Sequence, residues 1–386
     1  MQKYAIIGRA PLVTALGLAR NHKESADTAS KLVARENQFF LDAVAHTWGE
    51  NSDKYNEALK ACQERLNKVN QKTKYINEKN RYGSKNKLSA ASLLLFLYLH
   101  FCPSDYDGSM RVVHVPTAAR ILDCDEKTIH ASLKNLSENQ YISFTKKYAM
   151  RRGTYSVFLQ DFSDYHKKAE KGGRGYIRFS ERILKQLIAV KKINSLRLML
   201  RVYMDIDEKN RGAFAGLFCV KDMDQLRLFL PAYIKPCDVR RVLSVTQEMY
   251  KINIQESCHF ELNPDYYAKS EYRILKEENE ARLEQIIETL NEHLESRRPE
   301  NKHMSLHILP ANLQRVLINF VKQGLYGVIT VMKESFKDII QMTVEYNFED
   351  VTEMLFTIWQ TMPFDPKREY GPIIRNMILG KYTIAF

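Results

Sequence analysis

The stretch AARILDCDEKTIHASLKNLSENQYISFTKK, from Ala118 to Lys147, changes its hydrophobic spacing twice. Three apolar residues are spaced by four and three positions, as on one face of a helix: Ile129, Leu133 and Leu136. The polar segment before them predicts a turn, and Asp125 is placed to cap the new helix through the Thr128 N–H. After Gln140 apolar and polar residues alternate, which is typical of a strand. The stretch therefore predicts two helices joined by a turn and followed by a strand.

The flanking segments extend this pattern. Residues 88–101 predict a buried helix and residues 111–115 a short strand. Pro116 suits the start of the next helix, where its missing N–H costs nothing. The runs YISFTKKY and TYSVFL predict a hairpin. From residue 88 to residue 164 the predicted order is helix, strand, helix, turn, helix, strand, basic loop, strand, which resembles a winged helix.

This resemblance implies that the helix after the turn enters the major groove of DNA. The residues that point away from its apolar stripe can reach base edges or phosphates: Lys127, Thr128, His130, Ala131, Lys134 and Asn135. The hairpin loop would add four cations next to the DNA backbone: Lys146, Lys147, Arg151 and Arg152. A plain solvated helix face remains the alternative.

The pattern recurs less sharply further along the chain. The predicted elements are a helix at 195–206, a strand at 216–220, helices at 222–230 and 237–251, and a hairpin at 252–262. On the second of these paired helices five side chains are predicted to face outward: Arg240, Arg241, Ser244, Gln247 and Lys251. Arginine can pair with guanine and glutamine with adenine. Dimerisation or protein contact is the alternative role for this copy.

The charge is unevenly distributed. The formal net charge is +12, yet residues 271–386 hold 14 Lys and Arg against 17 Asp and Glu, and the remaining residues hold 44 against 29. Residues 166–192, which include Arg174, hold nine Lys and Arg and two Glu. A localised positive field is typical of a partner that is a polyanion. We therefore expect the N-terminal two thirds to contact nucleic acid, with the basic connector following the phosphate backbone.

Other functional classes find little support in the sequence. The six cysteines are scattered singly without a CxxC pair, which predicts reduced thiols and no metal site. There is no GxxxxGK[ST], HEXXH or GxSxG motif, so the sequence predicts neither an enzyme nor a cofactor. The longest apolar run, residues 88–101, is too short to span a bilayer, and no signal peptide is recognisable. We expect a cytoplasmic protein without a membrane partner.

The predicted fold class is α+β, mainly α with small β-hairpins, containing two winged-helix (helix-turn-helix) domains plus N- and C-terminal helical regions. The predicted segments are an N-terminal helical extension (1–87), winged-helix domain 1 (88–165), a basic linker (166–180), winged-helix domain 2 (181–268), an amphipathic connecting helix (269–300) and a C-terminal helical domain (301–386).

Tandem winged helices joined by a basic linker resemble the replication initiators of plasmids and some phages. The resemblance implies binding of double-stranded DNA at origin repeats. It also implies recruitment of a host helicase or helicase loader, which would suit the C-terminal region. The alternative function is a transcriptional or partition regulator that binds an operator as a homodimer. An enzyme that uses winged helices only for targeting is a third hypothesis, against which the missing NTPase and nicking motifs count.

Overall fold

The computed structural model describes every residue except 17–18, 80–87, 106, 147–151, 167–174, 211–215, 231–233, 256, 299–307 and 384–386. Many helices combine with small antiparallel sheets, so the fold class is α+β. The chain divides into two compact units, each built from separate segments. Unit 1 comprises Met1–Gly8, Leu94–Ala189 and Asn263–Phe386, and unit 2 comprises Arg9–Leu93 and Val190–Leu262. Neither unit coincides with one of the six predicted segments.

The elements follow one another from β1 to α15. The strands are β1 (Tyr4–Gly8), β2 (Met110–His114), β3 (Ile142–Thr145), β4 (Thr154–Leu159), β5 (Tyr176–Ser180), β6 (Phe218–Lys221), β7 (Tyr250–Ile254) and β8 (Cys258–Leu262). The helices are α1 (Arg9–Ala15), α2 (Ala19–Trp48), α3 (Asp53–Lys79), α4 (Ala90–Leu99), α5 (Val115–Ile121), α6 (Glu126–Glu138), α7 (Glu181–Val190), α8 (Ile193–Lys209), α9 (Met223–Leu228), α10 (Pro236–Ser244), α11 (Ala268–Ser296), α12 (Ala311–Lys322), α13 (Lys333–Glu345), α14 (Phe348–Thr361) and α15 (Tyr370–Thr383).

In unit 1 the predicted helix pair and hairpin are present between β2 and β4, a segment that we call module 1. Its sheet has the order β2-β4-β3, with both pairs antiparallel. The predicted apolar stripe of α6 is confirmed, because all three of its side chains are buried. The predicted cap is wrong in its chemistry: Asp125 occupies the N-cap position, but its side chain makes no capping bond. The Thr128 N–H donates instead to the Asp125 main-chain oxygen, at 2.9 Å.

In unit 2 the segment from β6 to β8, which we call module 2, repeats this order. Its sheet has the order β6-β8-β7, which matches the order in module 1. In both modules a tyrosine at the start of the hairpin contacts the helix that precedes the module. In module 1 the Tyr141 ring packs on Phe96 of α4, with centroids 5.3 Å apart, and in module 2 the Tyr250 hydroxyl donates to the Met199 oxygen of α8, at 2.7 Å.

The second paired helix of module 2 is shorter than predicted. The apolar spacing predicts a helix to residue 251, but α10 ends at Ser244 and a turn follows. Tyr250 lies opposite Leu262 in the sheet, and the ladder between β7 and β8 continues to Ile254. If the helix continued to residue 251, the start of β7 could not pair with β8, and part of the β8 backbone would lack a hydrogen-bond partner. The pairing therefore outweighs the helical spacing of the apolar residues.

One sheet was not predicted from the sequence. The strand β1 lies in the segment expected to be a helical extension, and it pairs with β5, which lies in the segment expected to be a linker. Ile7 and Phe179 bury their side chains there. The two strands are more than 160 residues apart in the chain, and local spacing carries no information about such a pairing.

The predicted N-terminal helical extension contains two long helices, α2 and α3, and the turn between them includes Gly49, whose φ is +80°. The amphipathic connecting helix predicted at 269–300 is α11, and helices α12 to α15 follow it in the predicted C-terminal helical domain. Helices α11 to α15 bury a common apolar core that includes Phe320 and Trp359. Among the described residues, no helix combines the length and apolar composition needed to cross a bilayer.

Candidate nucleic-acid interface

The outer face of α6 carries most of the predicted contact residues of module 1. Lys127, His130, Ala131 and Lys134 are exposed, opposite the buried stripe. Thr128 is half-buried. Asn135 is less available than predicted, because its Oδ1 atom is buried and makes no hydrogen bond. The helix therefore presents two ammonium groups and one imidazole on the side away from the core.

The exposed face of α6 adjoins the β3–β4 hairpin through aromatic rings. His130 packs edge-on against Tyr155 of β4, with ring centroids 5.8 Å apart, and Tyr155 makes a second edge contact with Phe144 of β3. These contacts link the helix face and the hairpin into one continuous surface. Sequence reasoning did not single out Tyr155, although its place in an alternating strand was a usable signal.

The hairpin loop brings cations to this surface. Lys146 and Arg152 are both exposed, whereas Lys147 and Arg151 lie outside the described residues. The loop ends at Gly153, whose φ is +81° and whose oxygen accepts the Val115 N–H at 2.8 Å. The C-terminal end of the loop is thus fixed to the first residue of α5.

The electrostatics of α6 differ from those that the sequence suggested. The helix contains two lysines and two glutamates, and Lys134 lies 3.8 Å from Glu138. Three acidic residues are exposed at or before its N-terminal end: Asp123, Asp125 and Glu126. The outward cations alone therefore do not describe the charge of this face. The helix itself is neutral, and the net positive charge of the surface belongs to the hairpin loop.

In module 2 the positive charge lies on the helix and not on the hairpin. From Lys235 to Ser244 the segment around α10 has three cations and one carboxylate, and Arg240 and Arg241 are exposed. Asp238 lies 4.0 Å from Arg241 and accepts the Lys235 N–H. Ser244 is exposed, but its hydroxyl already donates to the Arg241 oxygen at 2.8 Å.

Two predicted residues beyond α10 have a different setting from the one expected. Gln247 is exposed, but it lies in the turn after α10 and not on the helix face. On the hairpin, Lys251 of β7 is 3.9 Å from Glu261 of β8, so this cation is balanced by a neighbour. Arg174 lies outside the described residues. Module 2 thus offers a basic helix and a hairpin without excess positive charge.

Among the described residues no three His, Cys, Asp or Glu side chains gather into a cluster that could hold a metal ion. All six cysteines are free thiols, and only Cys237 is fully exposed. The exposed groups of α6, α10 and the first hairpin therefore remain the candidate site. A comparison of the chain with protein-family models, curated proteins and solved structures found no match, so the resemblance to winged helices rests on the order and pairing of the elements.

Proposed function

We propose that this protein binds double-stranded DNA through two winged helices, modules 1 and 2 with their preceding helices α4 and α8. The support is topological: both copies have the order helix, strand, helix, helix, strand, strand, and both sheets place the last strand in the centre. In this arrangement the second helix of each pair keeps one face free for the major groove.

The observation that carries the proposal is the surface formed by α6 and the β3–β4 hairpin. Its helix side offers hydrogen-bond donors, His130 and Lys134, at the spacing of one helical turn. Its hairpin side offers the exposed cations Lys146 and Arg152, which suit phosphate contacts. Because the acidic residues at the start of α6 repel phosphates, we place the DNA over the later turns of α6 and over the hairpin.

In module 2 the same proposal assigns the main contact to α10. Arg240 and Arg241 supply the guanidinium groups that pair with guanine or phosphate. The hairpin of module 2 contributes less, because Lys251 is balanced by Glu261. One module then binds mainly through its loop and the other mainly through its helix.

For the biological role, we propose replication initiation at repeated origin sequences, with helicase or helicase-loader recruitment by helices α11 to α15. This role rests on the resemblance of two winged helices joined by a basic connector to plasmid and phage initiators. A plasmid bearing the gene and its upstream DNA tests the role. Replication that depends on the protein supports it, whereas replication without the protein, together with a changed output from a nearby promoter, favours the regulator.

DNA binding itself is tested by measuring affinity for selected duplexes as a function of salt. The variant Lys134→Ala/Arg152→Ala should bind more weakly and should reduce the slope of log K against log salt by about 1 for each lost phosphate contact. The matched control Lys322→Ala/Lys367→Ala removes two exposed lysines from the C-terminal region and should leave both quantities unchanged. A salt-independent affinity, or equal losses in both variants, would contradict the proposal.

A further inference from the structure

The helical hairpin α2–α3 exposes two neighbouring aromatic side chains. Phe39 is 76% exposed and Phe40 is 53% exposed, although both lie in the middle of α2. A single exposed apolar residue needs no explanation, but adjacent large ones form a patch that is characteristic of an interaction site. The hairpin also has a thin core of its own, whose buried side chains among those described are Asn37, Ala58 and Cys62.

Three lateral contacts fix the antiparallel register of the hairpin. The Asn37 side chain donates to the Cys62 oxygen at 2.9 Å, and the Ser30 hydroxyl bonds to Asn70 at 2.8 Å. On one flank Arg65 forms an ion pair with Glu36 at 2.6 Å. In this register, the turn of α3 that contains Ala61 lies across from the turn of α2 that contains Phe40.

Small exposed residues accompany the two phenylalanines. Ala43 is exposed and follows Phe39 by four positions and Phe40 by three, so it adjoins both on the helix surface. Ala61 is exposed on α3, one turn before Arg65 on the same flank. We call the surface formed by Phe39, Phe40, Ala43 and Ala61 the Phe39 patch.

We propose that the Phe39 patch binds the Phe39 patch of a second copy of this chain, so that two α2–α3 hairpins form a four-helix dimer interface. A twofold interface must be complementary to itself. The patch meets this condition because it holds both protruding rings and the small residues that can receive them from the partner, as in knobs-into-holes packing.

The charges beside the patch also favour a second copy. Arg35 and Asp42 are exposed and lie four residues before and three residues after Phe39, so they flank it on one face. When two α2 helices cross antiparallel about an axis beside Phe39, Arg35 of one copy faces Asp42 of the other. Each dimer then gains two opposite-charge contacts, and a parallel arrangement would place like charges together.

The patch lies on one side of a long helical hairpin. The 27 residues of α3 give a helix about 40 Å long, and two helix diameters give a side about 20 Å wide. The whole side therefore measures about 800 Å², which sets the upper limit of the contact and is the area that each partner contributes to a standard interface. No DNA is needed for this contact, so its failure and the failure of DNA binding can be told apart.

Sedimentation velocity of the full chain without DNA tests the proposal. We expect the wild type to be a dimer in the micromolar range and Phe39→Glu/Phe40→Glu to weaken dimerisation about thirtyfold or more. The matched control is Val328→Glu, which adds a charge at another highly exposed apolar residue, 73% exposed, and should leave the dimer intact. Helix content by circular dichroism should be unchanged in both variants.

A charge exchange provides a test that does not insert charge into the patch itself. Arg35→Asp and Asp42→Arg should each weaken the dimer, and the double variant should restore it, because the contacts re-form with the signs reversed. A wild-type monomer at high micromolar concentration would overturn the proposal and assign the patch to a different partner. A dimer unaffected by the phenylalanine variant, or a double variant weaker than either single one, would overturn it as well.

Discussion

His130 of α6 lies edge-on against Tyr155 of β4, with the two ring centroids 5.8 Å apart. This contact joins the helix that carries the candidate base-reading residues to the hairpin that carries the candidate phosphate-binding ones. Because His130 is exposed, its ring can donate to DNA while its orientation is restricted by Tyr155. The relative positions of His130 and the hairpin are thus set by side-chain packing within module 1.

Removing the Tyr155 ring should weaken DNA binding more than it weakens the fold. We expect Tyr155→Ala to lose the two edge contacts with His130 and Phe144, at a cost of about 1–3 kcal/mol in unfolding free energy. DNA affinity should fall because the aromatic contact that orients His130 relative to the hairpin is lost. Urea denaturation and fluorescence anisotropy measure the two effects. Tyr155→Phe keeps the ring and serves as the control, and an equal loss of affinity in that variant would contradict the packing role.

A side chain at position 153 should destabilise the protein. Its φ is +81°, and a Cβ atom would lie 3.3 Å from the Pro116 Cδ, so an alanine there is strained by its backbone and crowded by the ring. We expect Gly153→Ala to lower the unfolding free energy by about 1–3 kcal/mol and to shift the loop that carries Arg152. The measurements are urea denaturation and the salt dependence of DNA binding.

The chain offers a matched control at Gly49 in the turn between α2 and α3. Its φ is +80°, but a Cβ atom there would meet no atom within 4 Å. Gly49→Ala therefore carries the backbone strain without the steric contact, and it should destabilise the protein by about 1–2 kcal/mol without changing DNA affinity. If the two variants have the same effect on DNA binding, the contact with Pro116 does not position the loop.

Sequence spacing predicted α6 well because several local signals agree there. Its buried stripe, its preceding turn and the strand that follows it all indicate the same boundaries, and none competes with another. For α10 the helical spacing of apolar residues continues past Ser244, but Tyr250 pairs with Leu262 in a sheet. The boundary was therefore decided by a partner strand, which no local pattern reveals.

The exposed residues of the candidate site were predictable from the sequence, but the buried atoms and ion-pair partners among them were not. Helical spacing correctly placed Lys127, His130 and Lys134 on an exposed face. The same spacing could not show that Asn135 buries its Oδ1 atom or that Lys251 faces Glu261 across a hairpin. Burial and cross-strand pairing depend on the packed neighbours, which sequence alone does not supply.

A buried histidine should make the stability of the protein depend on pH. The His100 ring is fully buried, its Nδ1 lies 2.8 Å from the Phe96 oxygen, and its Nε2 lies 3.1 Å from the Tyr165 hydroxyl. Burial, with a smaller contribution from the Arg111 charge, lowers the pKa of His100 to about 3. In the unfolded chain the histidine pKa is about 6.5, so between about pH 3 and pH 6.5 the unfolded chain binds a proton that the folded chain does not bind.

Because the unfolded state binds this proton more readily than the folded state does, the free energy of unfolding decreases as the pH falls. Stability from this group is fully present above about pH 6.5 and is lost as the pH falls towards 3, by up to about 1.4 kcal/mol per pH unit. We expect about 2 kcal/mol less unfolding free energy at pH 5 than at pH 7 from His100. His100→Gln cannot take up the proton, so its stability should fall less over this range. Equal pH dependence in urea denaturation of the two proteins would contradict the buried neutral histidine.

The acidic residues at the start of α6 should oppose DNA binding, and their neutralisation should strengthen it. Asp125 and Glu126 are exposed on the module that carries the proposed interface, so each carboxylate repels the phosphates at low salt. We expect Asp125→Asn/Glu126→Gln to raise affinity several-fold in low salt and less at 0.15 M. The Asp125 side chain makes no capping bond, so asparagine should leave the helix start intact. Glu334→Gln/Glu353→Gln removes the same charge from exposed sites on α13 and α14 and separates a local effect from one of net charge. Equal gains in both variants, or a loss of affinity in the first, would mean that these two carboxylates exert no local repulsion on the bound DNA.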